Sequence, residues 1–381
     1  MLNRFLNPPK SSAFLFGPRG TGKSTWLKVQ GPKGLSYDLL DTQKALRLAK
    51  EPGLLYRELI GKSPGTWIIL DEIQKVPGLL DDVHRLIEQN QLRFLMSGSS
   101  ARKLKRGAAN LLGGRAIQLN LFPLVSRELG DLFNVERALQ FGTLPLSWQS
   151  DDPATFLQGY TQTYLQEEVK SEALTRNLGG FARFLEVAAR QNGQVTNVSN
   201  IARDALVARQ TVQGFFEILI DTLMGYWLPA WKLKRATKQI AHPKFYFFDP
   251  GVSRALSERT AYPVQSEEKG FLVETFLLNE IRAYLSYHRL HYPLSFWASP
   301  DGVEVDVFFE TQRGYFALEI KSAQRWEDRY SKGLCRIREE LGSRVKCLGV
   351  FLGERDRKAP HGDVITLPHF LARLWDGALF E

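Results

Sequence analysis

Short runs of apolar residues recur through the first 145 residues and predict the strands of a buried sheet. Near-continuous apolar runs are typical of parallel strands that are covered on both faces. The predicted strands cover residues 13–16, 35–40, 67–72, 92–96 and 116–121. An open parallel sheet binds its ligands at the carboxyl ends of the strands. The polar residues that follow each run are therefore the first candidates for chemistry.

The segment after the first strand has the spacing Gly-x4-Gly-Lys-Ser, and a helix is predicted to begin near Thr25. A strand before and a helix after are the context that a phosphate-binding loop requires. Glycines let a polyphosphate approach main-chain N–H groups, Lys23 supplies positive charge to the outer phosphates, and the Ser24 hydroxyl is a ligand for Mg²⁺. The alternative is a glycine-rich turn beside a lysine. The candidate nucleotide-binding residues are Gly17, Pro18, Arg19, Gly20, Thr21, Gly22, Lys23, Ser24 and Thr25.

Polar residues also follow the third and fourth predicted strands. Asp71 is predicted to hold Mg²⁺ through water, and Glu72 to polarise the water that attacks the terminal phosphate. After the fourth strand, Ser97 or Ser99 could hydrogen-bond the terminal phosphate or the water, and the sequence does not choose between them. The alternatives are a helix cap for the acids and a simple turn for the serines.

The region from about 150 to 262 is predicted to be mainly helical, beginning after the break WQSDDP at 148–153. A short helix near 199–205, a turn and a helix from about 209 to 223 predict a helix-turn-helix. Its second helix presents Arg209, Gln210 and Gln213 outward, residue types that meet base edges or phosphates. An acid-free basic run before a strand at 245–248 predicts a wing, with Lys232, Lys234, Arg235 and Lys238 as further DNA contacts. Such modules also serve as protein contacts or as structure alone.

The last region combines an acidic helix with two acidic strands. The helix at 270–281 carries Glu274. Because alternate residues of a strand share a face, Asp306 lies with Glu304 on one strand, and Glu319 lies with Lys321 on the next. Asp306 and Glu319 are predicted to chelate a divalent metal ion, with Lys321 beside the water that the ion activates. The alternative is a pair of surface charges on an ordinary sheet.

Composition bounds the possible partners. At 381 residues, with 44% hydrophobic residues, the chain is long enough for two or three domains. No apolar run approaches the ~20 residues that cross a bilayer, and the N-terminus lacks a secretory signal, so we expect a cytoplasmic protein without a membrane partner. The two cysteines, Cys335 and Cys347, are too few for a disulfide framework. The net charge of +9 favours a polyanionic partner, and DNA is the expected one.

The order of phosphate loop, acidic strand end and polar strand end resembles the AAA+ ATPases, which implies ATP and Mg²⁺ as cofactors. Gly113-Gly114-Arg115 stands where AAA+ proteins carry the arginine that reaches the nucleotide of a neighbouring subunit. Arg115 is therefore the candidate finger, and Arg102 is the second choice. A finger that acts between subunits implies a homo-oligomer, expected to be a ring of six.

The acids of the last region resemble the PD-(D/E)XK nucleases, in which Glu274 would complete the site. The whole chain resembles a large prokaryotic group of ATPases with a C-terminal domain of unknown function. This resemblance is carried by GPRGTGKST, WIILDE, SGSS, GGR, the GFLVETF helix, VEVD and LEIKS. It departs from the group at FGTLPLSWQ, where we would expect Gly-Gly-x-Pro-Glu. The implied fold class is α/β, with an AAA+ P-loop domain (1–148), a helical and winged-helix domain (149–262) and a restriction-endonuclease-like α/β domain (263–381).

Three functions stay open. In the first, the protein hydrolyses ATP to remodel or translocate on DNA, including branched DNA, which the C-terminal domain grips or cleaves. The second is a nucleotide-switched regulatory ATPase of a defence or toxin-antitoxin-like system that binds a protein partner. The third is a metal-dependent nuclease gated by the ATPase. The candidate catalytic residues are Lys23, Glu72, Arg115, Glu274, Asp306, Glu319 and Lys321.

Overall fold

The computed structural model describes residues 2–98, 112–164, 177–231 and 242–380. The chain divides into two compact units. The first, unit 1, contains Met1–Leu124 and Ile218–Met224, and the second, unit 2, contains Val125–Glu217 and Gly225–Glu381. The predicted boundary at residue 148 falls inside unit 2, which also contains residues 263–381. The division into three domains stays a prediction.

A parallel sheet is the centre of unit 1, as the apolar runs predict. The strands are β1 (Ala13–Phe16), β2 (Leu35–Asp38), β3 (Trp67–Asp71), β4 (Arg93–Gly98) and β5 (Ile117–Asn120). Their order is β2-β3-β4-β1-β5, and neighbouring strands run parallel. β1 and β4 are both central, and their apolar side chains are buried. All carboxyl ends therefore lie at one edge of this sheet.

Amphipathic helices supply the rest of the core of unit 1. They are α1 (Lys23–Val29), α2 (Thr42–Lys50), α3 (Leu54–Leu59) and α4 (Leu79–Asn90). The Asp41 carboxylate accepts hydrogen bonds from the main-chain N–H groups of Gln43 and Lys44 and so caps α2. Apolar residues of α3 and α4, such as Leu55 and Leu80, pack in one buried cluster with residues of β3 and β4.

The first half of unit 2 is helical. Its helices are α5 (Ser126–Leu129), α6 (Val135–Phe141), α7 (Pro145–Gln149), α8 (Pro153–Thr163), α9 (Leu178–Arg190), α10 (Val198–Asp204), α11 (Arg209–Asp221) and α12 (Pro250–Leu256). The last four residues of α11, from Ile218 onward, are assigned to unit 1. α10 and α11 correspond to the predicted helix pair. They precede an antiparallel pair of strands, β6 (Gly225–Leu228) and β7 (Lys244–Phe247). Whether this arrangement is a DNA-binding winged helix stays a prediction.

The segment FGTLPLSWQ, which departs from the expected pattern, is held by α12. The Asp249 carboxylate is fully buried and accepts hydrogen bonds from Thr143 N at 2.7 Å and from Val252 N at 3.0 Å. Arg254 on the same helix donates to Gln140 O at 3.2 Å. One carboxylate thus caps α12 and fixes the turn between α6 and α7, which gives this segment a structural role in unit 2.

The second half of unit 2 contains a mixed sheet of six described strands. The elements are α13 (Ser266–Tyr287), β8 (Ser295–Ala298), β9 (Glu304–Thr311), β10 (Gly314–Lys321), α14 (Lys332–Leu341), β11 (Val345–Phe351), β12 (Arg357–Ala359), β13 (Gly362–Thr366) and α15 (Leu367–Trp375). The strand order is β12-β13-β11-β10-β9-β8. β8, β9 and β10 are antiparallel neighbours, whereas β10, β11 and β13 are parallel.

A buried carboxylate joins three helices of unit 2. Glu280 of α13 is 1% exposed and accepts hydrogen bonds from Ser126 N at 2.7 Å, Ser126 Oγ at 2.8 Å and Trp375 Nε1 at 2.6 Å. Burial raises its pKa to about 7, although these donors oppose the shift. The first residue of α5 and the last residue of α15 are therefore both fixed on α13.

Candidate functional site

The loop between β1 and α1 has the geometry of a cradle. Gly20 and Gly22 have φ values of 83° and 88°, a region that favours glycine. A Cβ atom on Gly17 would lie 2.4 Å from Leu121 O, so only glycine fits where the loop passes the chain after β5. Lys23 is 6% exposed, and its ammonium group donates to Gly17 O at 2.8 Å and to Pro18 O at 3.1 Å. A buried cation therefore spans the loop from one end to the other.

Asp71, Glu72 and Ser97 meet at the same edge of the sheet, because β3 and β4 are parallel neighbours. Ser97 is fully buried, and its hydroxyl donates to Asp71 Oδ1 and accepts from Glu72 N at 3.0 Å. Of the two candidate serines, Ser97 makes these contacts, and Ser99 lies outside the described residues. Ser97 thus links Asp71, which is predicted to hold Mg²⁺, to the main chain of Glu72, which is predicted to polarise the attacking water.

Glu72 has an unusual backbone conformation, with φ 61° and ψ 47°. Non-glycine residues adopt this left-handed conformation at a cost, and such outliers concentrate at functional sites. The Glu72 N–H is bonded to Ser97 Oγ, and the Glu72 carboxylate accepts a hydrogen bond from Gln74 Nε2. The first contact fixes the main chain of Glu72, and the second holds its carboxylate beside the strand end.

Sequence reasoning missed Arg4, which connects the β1–α1 loop to the chain after β5 by hydrogen bonds. Its guanidinium group donates to Thr21 O at 2.6 Å, to Phe122 O at 2.6 Å and to Pro123 O at 3.3 Å. Arg4 is 9% exposed, and its charged guanidinium group donates buried hydrogen bonds to Thr21 O and Pro123 O and a partly buried one to Phe122 O. One arginine before the first strand could not be distinguished in the sequence from a surface cation.

Arg115 precedes β5 and therefore lies at the amino edge of the sheet, opposite the loop after β1. Its Nε group pairs with the Glu88 carboxylate on α4, and its side chain is 38% exposed. From this edge the side chain does not face the loop of its own chain. Arg102, the second candidate finger, lies outside the described residues.

The predicted acids of unit 2 are brought together by α13, β9 and β10. We call Glu274, Glu304, Asp306 and Glu319 the carboxylate cluster. The register that pairs Val307 with Leu318 places Asp306 beside Glu319. Lys321 Nζ lies 2.5 Å from Glu319 Oε1 and 3.5 Å from Asp306 Oδ2. Asp306 also accepts a hydrogen bond from Ile320 N at 2.7 Å.

β7 contributes two residues to this cluster that sequence reasoning did not assign to it. Tyr246 is fully buried, and its hydroxyl donates to Glu274 Oε2 at 2.7 Å. Lys244, the last cation of the predicted basic run, is 5% exposed and pairs with Glu304 Oε2 at 3.0 Å. Lys244 ends the acid-free basic run before β7 but is not one of the predicted DNA contacts, and its side chain is buried against a carboxylate.

Burial dominates the electrostatics of the carboxylate cluster. It raises the pKa of Glu274 to about 7, and the nearby Asp306 charge adds to the shift. Burial and the Asp306 charge likewise raise the pKa of Glu319 well above its usual value. Burial lowers the pKa of Lys321, but the charges of Asp306 and Glu319 outweigh it, so the net shift is upward. Lys321 is therefore cationic at neutral pH, while Glu274 and Glu319 hold protons more readily than exposed acids.

One carboxylate oxygen in the cluster is a possible ligand for a cation. Glu319 Oε2 is buried and has no hydrogen-bond partner among the residues that the structure describes. A carboxylate oxygen in this state is a suitable ligand for a hard divalent ion. However, no group of three or more His, Cys, Asp or Glu residues in the described ranges is arranged to hold a metal ion. Asp306 and Glu319 could therefore supply only part of a coordination shell, with water supplying the rest.

The outward residues of the helix pair lie as predicted in the sequence. Arg209, Gln210 and Gln213 are exposed at the start of α11, whereas Val212 and Phe216 are buried. The four predicted contacts of the wing, Lys232, Lys234, Arg235 and Lys238, lie outside the described residues. The exposed polar start of α11 is the described part of the predicted DNA surface.

Three family models match successive parts of the chain. Residues 10–130 match a model described as AAA domain. This match supports an AAA-type ATPase. Residues 132–262 and 269–370 match two domains of unknown function, DUF8612 and DUF4143. The AAA domain contains the loop, Asp71, Glu72 and Ser97, and it implies the use of a nucleotide and typically of Mg²⁺.

Individual relatives are distant. An uncharacterized protein of Haemophilus influenzae is 20% identical over 219 residues, which cover 53% of this chain and 55% of the relative. The chain thus spans about half the length of the curated relative that it matches. A DNA polymerase III gamma subunit-related protein of Thermotoga maritima is 10% identical, with a TM-score of 0.23 over 56% of this chain and 93% of that chain. Can2 of Sulfobacillus thermosulfidooxidans, solved with cyclic tetra-adenylate, is 11% identical, with a TM-score of 0.22 over 97% and 98%.

TM-scores this low carry no argument about fold or function, so the AAA domain match stands on its own. Among the described helices, none combines the length and the apolar character needed to cross a bilayer.

Proposed function

We propose that the protein binds ATP·Mg²⁺ at the β1–α1 loop of the AAA domain, hydrolyses it, and uses the energy to remodel or translocate on DNA. The observation that carries the proposal is the convergence of Lys23, Asp71, Ser97 and Glu72 at one edge of a parallel sheet, within residues that match an AAA domain. This set combines a buried cation with two acids, which is what a phosphoryl-transfer site uses.

The residues of the AAA domain divide the chemistry among them. Lys23 neutralises the outer phosphates, and Arg4 holds the loop in shape through Thr21 O. Ser24 and Asp71 would hold Mg²⁺, which when bound neutralises charge on the β- and γ-phosphates. Ser97 orients Asp71 and fixes the main chain of Glu72.

Glu72 is the proposed base. Its carboxylate accepts a proton from the attacking water as the water oxygen bonds to the γ-phosphorus, while the bond from that phosphorus to the β–γ bridging oxygen breaks. ADP leaves with the electron pair, and phosphate is the second product. Arg115 faces away from its own loop and would act on the nucleotide of another subunit in a homo-oligomeric ring of six.

DNA as the substrate is supported by charge and by the helix pair. The chain carries a net charge of +9, and α11 begins with three exposed polar residues that match the chemistry of bases and phosphates. Contacts of this kind release counterions, so binding should weaken steeply with salt. A regulatory ATPase that binds a protein partner would show no increase in ATP turnover with DNA.

A second candidate function belongs to the carboxylate cluster. The buried, unpartnered Glu319 Oε2 beside Asp306 and Lys321 favours a metal-dependent phosphodiester cleavage site. Asp306 and Glu319 would hold the ion, Lys321 would position the attacking water, and Glu274 would complete the site from α13. When bound, the ion would lower the pKa of that water.

Both functions are tested by one set of assays. ATP turnover is measured with no DNA and with duplex, single-stranded and four-way DNA, and the DNA is then examined on gels after incubation with Mg²⁺ or Mn²⁺. We expect turnover to rise several-fold with DNA and to fall back as salt increases. Cuts that disappear in Lys321→Ala would support the nuclease function.

Two results would contradict the proposal. Turnover that ignores every DNA at low salt would leave the regulatory ATPase as the better explanation. Absence of cuts with both metal ions would remove the nuclease function without affecting the ATPase. Lys358→Ala, which removes an exposed cation paired with Asp363, is the matched control for charge.

A further inference from the structure

The turn between α10 and α11 carries an exposed leucine in a strained backbone conformation. Leu206 is 75% exposed and has a φ of 55°, in the left-handed region that favours glycine. Single exposed leucines are ordinary on protein surfaces, and Leu132 and Leu146 are examples in this chain. Leu206 differs from these two because exposure and backbone strain occur at the same residue.

The backbone conformation of Leu206 follows from the way α10 ends. The main-chain N–H group of Leu206 donates to Arg203 O at 3.2 Å, and that of Val207 donates to Ala202 O at 3.0 Å. This pair of hydrogen bonds is the Schellman motif, whose left-handed residue is most often glycine. Turns of helix-turn-helix motifs also often contain glycine. The helix end therefore accounts for the conformation at residue 206 but not for the choice of leucine.

The turn is held by hydrogen bonds on both sides of Leu206. Arg183 of α9 donates from Nε to Ala205 O at 3.0 Å. After the turn, Thr211 N donates to Ala208 O at 2.9 Å as α11 begins. Leu206 is thus presented to solvent from a fixed main chain, and a ligand that contacts it would not have to order the turn first.

The charges around Leu206 favour a polyanion as the occupant of this surface. Arg183, Arg203 and Arg209 lie in the turn or are bonded to it, and all three are exposed. Asp204, the acid within the turn, is already paired with Arg203 at 3.0 Å. Arginines beside an apolar side chain suit DNA, because the arginines can contact phosphates while the apolar group reaches a base.

We propose that Leu206 contacts DNA in the major groove, where its side chain packs against the C5-methyl group of thymine. The inference rests on the proposed function, in which the exposed start of α11 meets DNA. A recognition helix contacts base edges with its N-terminal residues. Leu206 precedes Arg209 by three residues, so their Cα atoms are at most ~11 Å apart, which is about three base-pair steps.

Thymine is the partner that the major groove offers to an apolar side chain. Of the four bases, thymine is the one that carries a methyl group at this edge. The predicted polar contacts of α11, Arg209, Gln210 and Gln213, are of types that recognise guanine, adenine or phosphates. Leu206 therefore adds a preference for thymine that these three side chains do not supply.

The test compares two fluorescent duplexes of alternating A and T, one of which contains uracil in place of thymine. Uracil pairs in the same way but lacks the C5-methyl group. Binding of the full-length protein is measured by fluorescence anisotropy at low salt, with and without ATP. We expect the wild type to bind the thymine duplex about fourfold more tightly, the effect of burying one methyl group. Leu206→Gly should bind both duplexes with the affinity that the wild type has for uracil.

The stability of Leu206→Gly gives a second readout with the opposite sign. Glycine relieves the backbone strain at this position, so the midpoint of thermal unfolding should be equal to or higher than that of the wild type. Weaker DNA binding would therefore not be a consequence of unfolding. Leu206→Met keeps an apolar side chain and should keep the preference for thymine. A leucine with a purely structural role would leave the DNA affinities of both variants unchanged.

Two control variants match the two properties of Leu206. Gln91→Gly is the control for the backbone, because Gln91 is an exposed residue with a φ of 52° at the end of α4. Leu146→Ala is the control for the loss of an exposed leucine. Both variants should keep the preference of the wild type for the thymine duplex.

The outcomes separate this inference from the proposed function. A wild type that binds neither duplex would contradict DNA binding, and the inference with it. A wild type that binds both duplexes equally would contradict the thymine contact while DNA binding stands. A preference for thymine that persists in Leu206→Gly would likewise show that another residue contacts the methyl group.

Discussion

The β1–α1 loop of unit 1 and the carboxylate cluster of unit 2 differ in the partners of their lysines. At the loop, the Lys23 ammonium group donates hydrogen bonds to the main-chain carbonyl groups of Gly17 and Pro18. In the cluster, Lys321 and Lys244 each contact a carboxylate directly. In the first arrangement a buried cation is hydrogen-bonded to the main chain, whereas in the second two lysines are paired with carboxylates.

The two sites also differ in how easily they are recognised in the sequence. A loop that wraps a polyphosphate needs glycines at fixed positions, because a Cβ at Gly17 would meet Leu121 O. A buried cluster of acids needs only compensating cations, and these can come from any part of the fold. A mutation in the loop should therefore affect the loop alone. A mutation in the cluster should affect residues on several helices and strands.

The largest expected effect is at the loop. Lys23→Ala removes the buried cation that donates to Gly17 O and Pro18 O, and we expect ATP binding and turnover to fall at least about 100-fold. Lys28→Ala, an exposed lysine on the same helix, is the matched control. Binding is measured by titration with a fluorescent ATP analogue. Retained binding in Lys23→Ala would mean that the nucleotide lies elsewhere.

The second effect separates the two sites. Glu319→Gln removes the charge of a predicted metal ligand with little change in shape, so DNA cleavage should fall about 100-fold while ATP turnover stays within about twofold. Glu310→Gln, an exposed acid on β9, is the control. A parallel loss of ATP turnover would contradict the assignment of separate chemistry to the two units.

A smaller effect is expected at Ser97. Ser97→Ala leaves Asp71 and the Glu72 N–H without their shared partner, so turnover should fall about tenfold while ATP affinity changes little. Steady-state kinetics separate kcat from KM. Ser36→Ala, an exposed serine on the edge strand β2, should leave both unchanged. A change in KM alone would show that Ser97 does not orient the catalytic acids.

The smallest effect concerns stability. Burial raises the pKa of Glu280 to about 7, above the ordinary 4.5 of a glutamate, so the folded state binds this proton more tightly than the unfolded state. The protonated Glu280 therefore adds up to about 3 kcal/mol to the free energy of unfolding. This contribution is fully present below pH 4.5 and is lost as the pH rises through about 7. Thermal unfolding at pH 5 and pH 8 should therefore differ less in Glu280→Gln than in the wild type or in Glu267→Gln. An equal difference in all three proteins would show that Glu280 is not the group responsible.

Much of unit 1 could be predicted from sequence because its signals are local. The apolar runs give five strands whose ends differ from the structure by at most two residues, as at β2 and β4. Parallel strands buried on both faces leave continuous apolar runs, and the glycines of the loop stand next to Lys23 in the chain. Arg4 could not be found in this way, because its partners at Thr21, Phe122 and Pro123 are far apart in sequence.

Unit 2 shows where sequence reasoning stops. The strands β9 and β10 are predictable, since each is a run of apolar residues with charged residues two positions apart, Glu304 and Asp306 in β9 and Glu319 and Lys321 in β10. The elements from α14 to α15 were not predicted, because their short strands mix apolar and charged residues, as in β12. Lys244 reads as one cation of a basic run, and only the tertiary structure brings it to Glu304.

The central claim is that the AAA domain hydrolyses ATP with Glu72 as the base. The most direct test follows the γ-phosphate of radiolabelled ATP during a single turnover in the wild type and in Glu72→Gln. We predict that the wild type releases labelled phosphate, whereas Glu72→Gln binds ATP with similar affinity and retains the intact triphosphate. Release at the wild-type rate from Glu72→Gln would contradict the account.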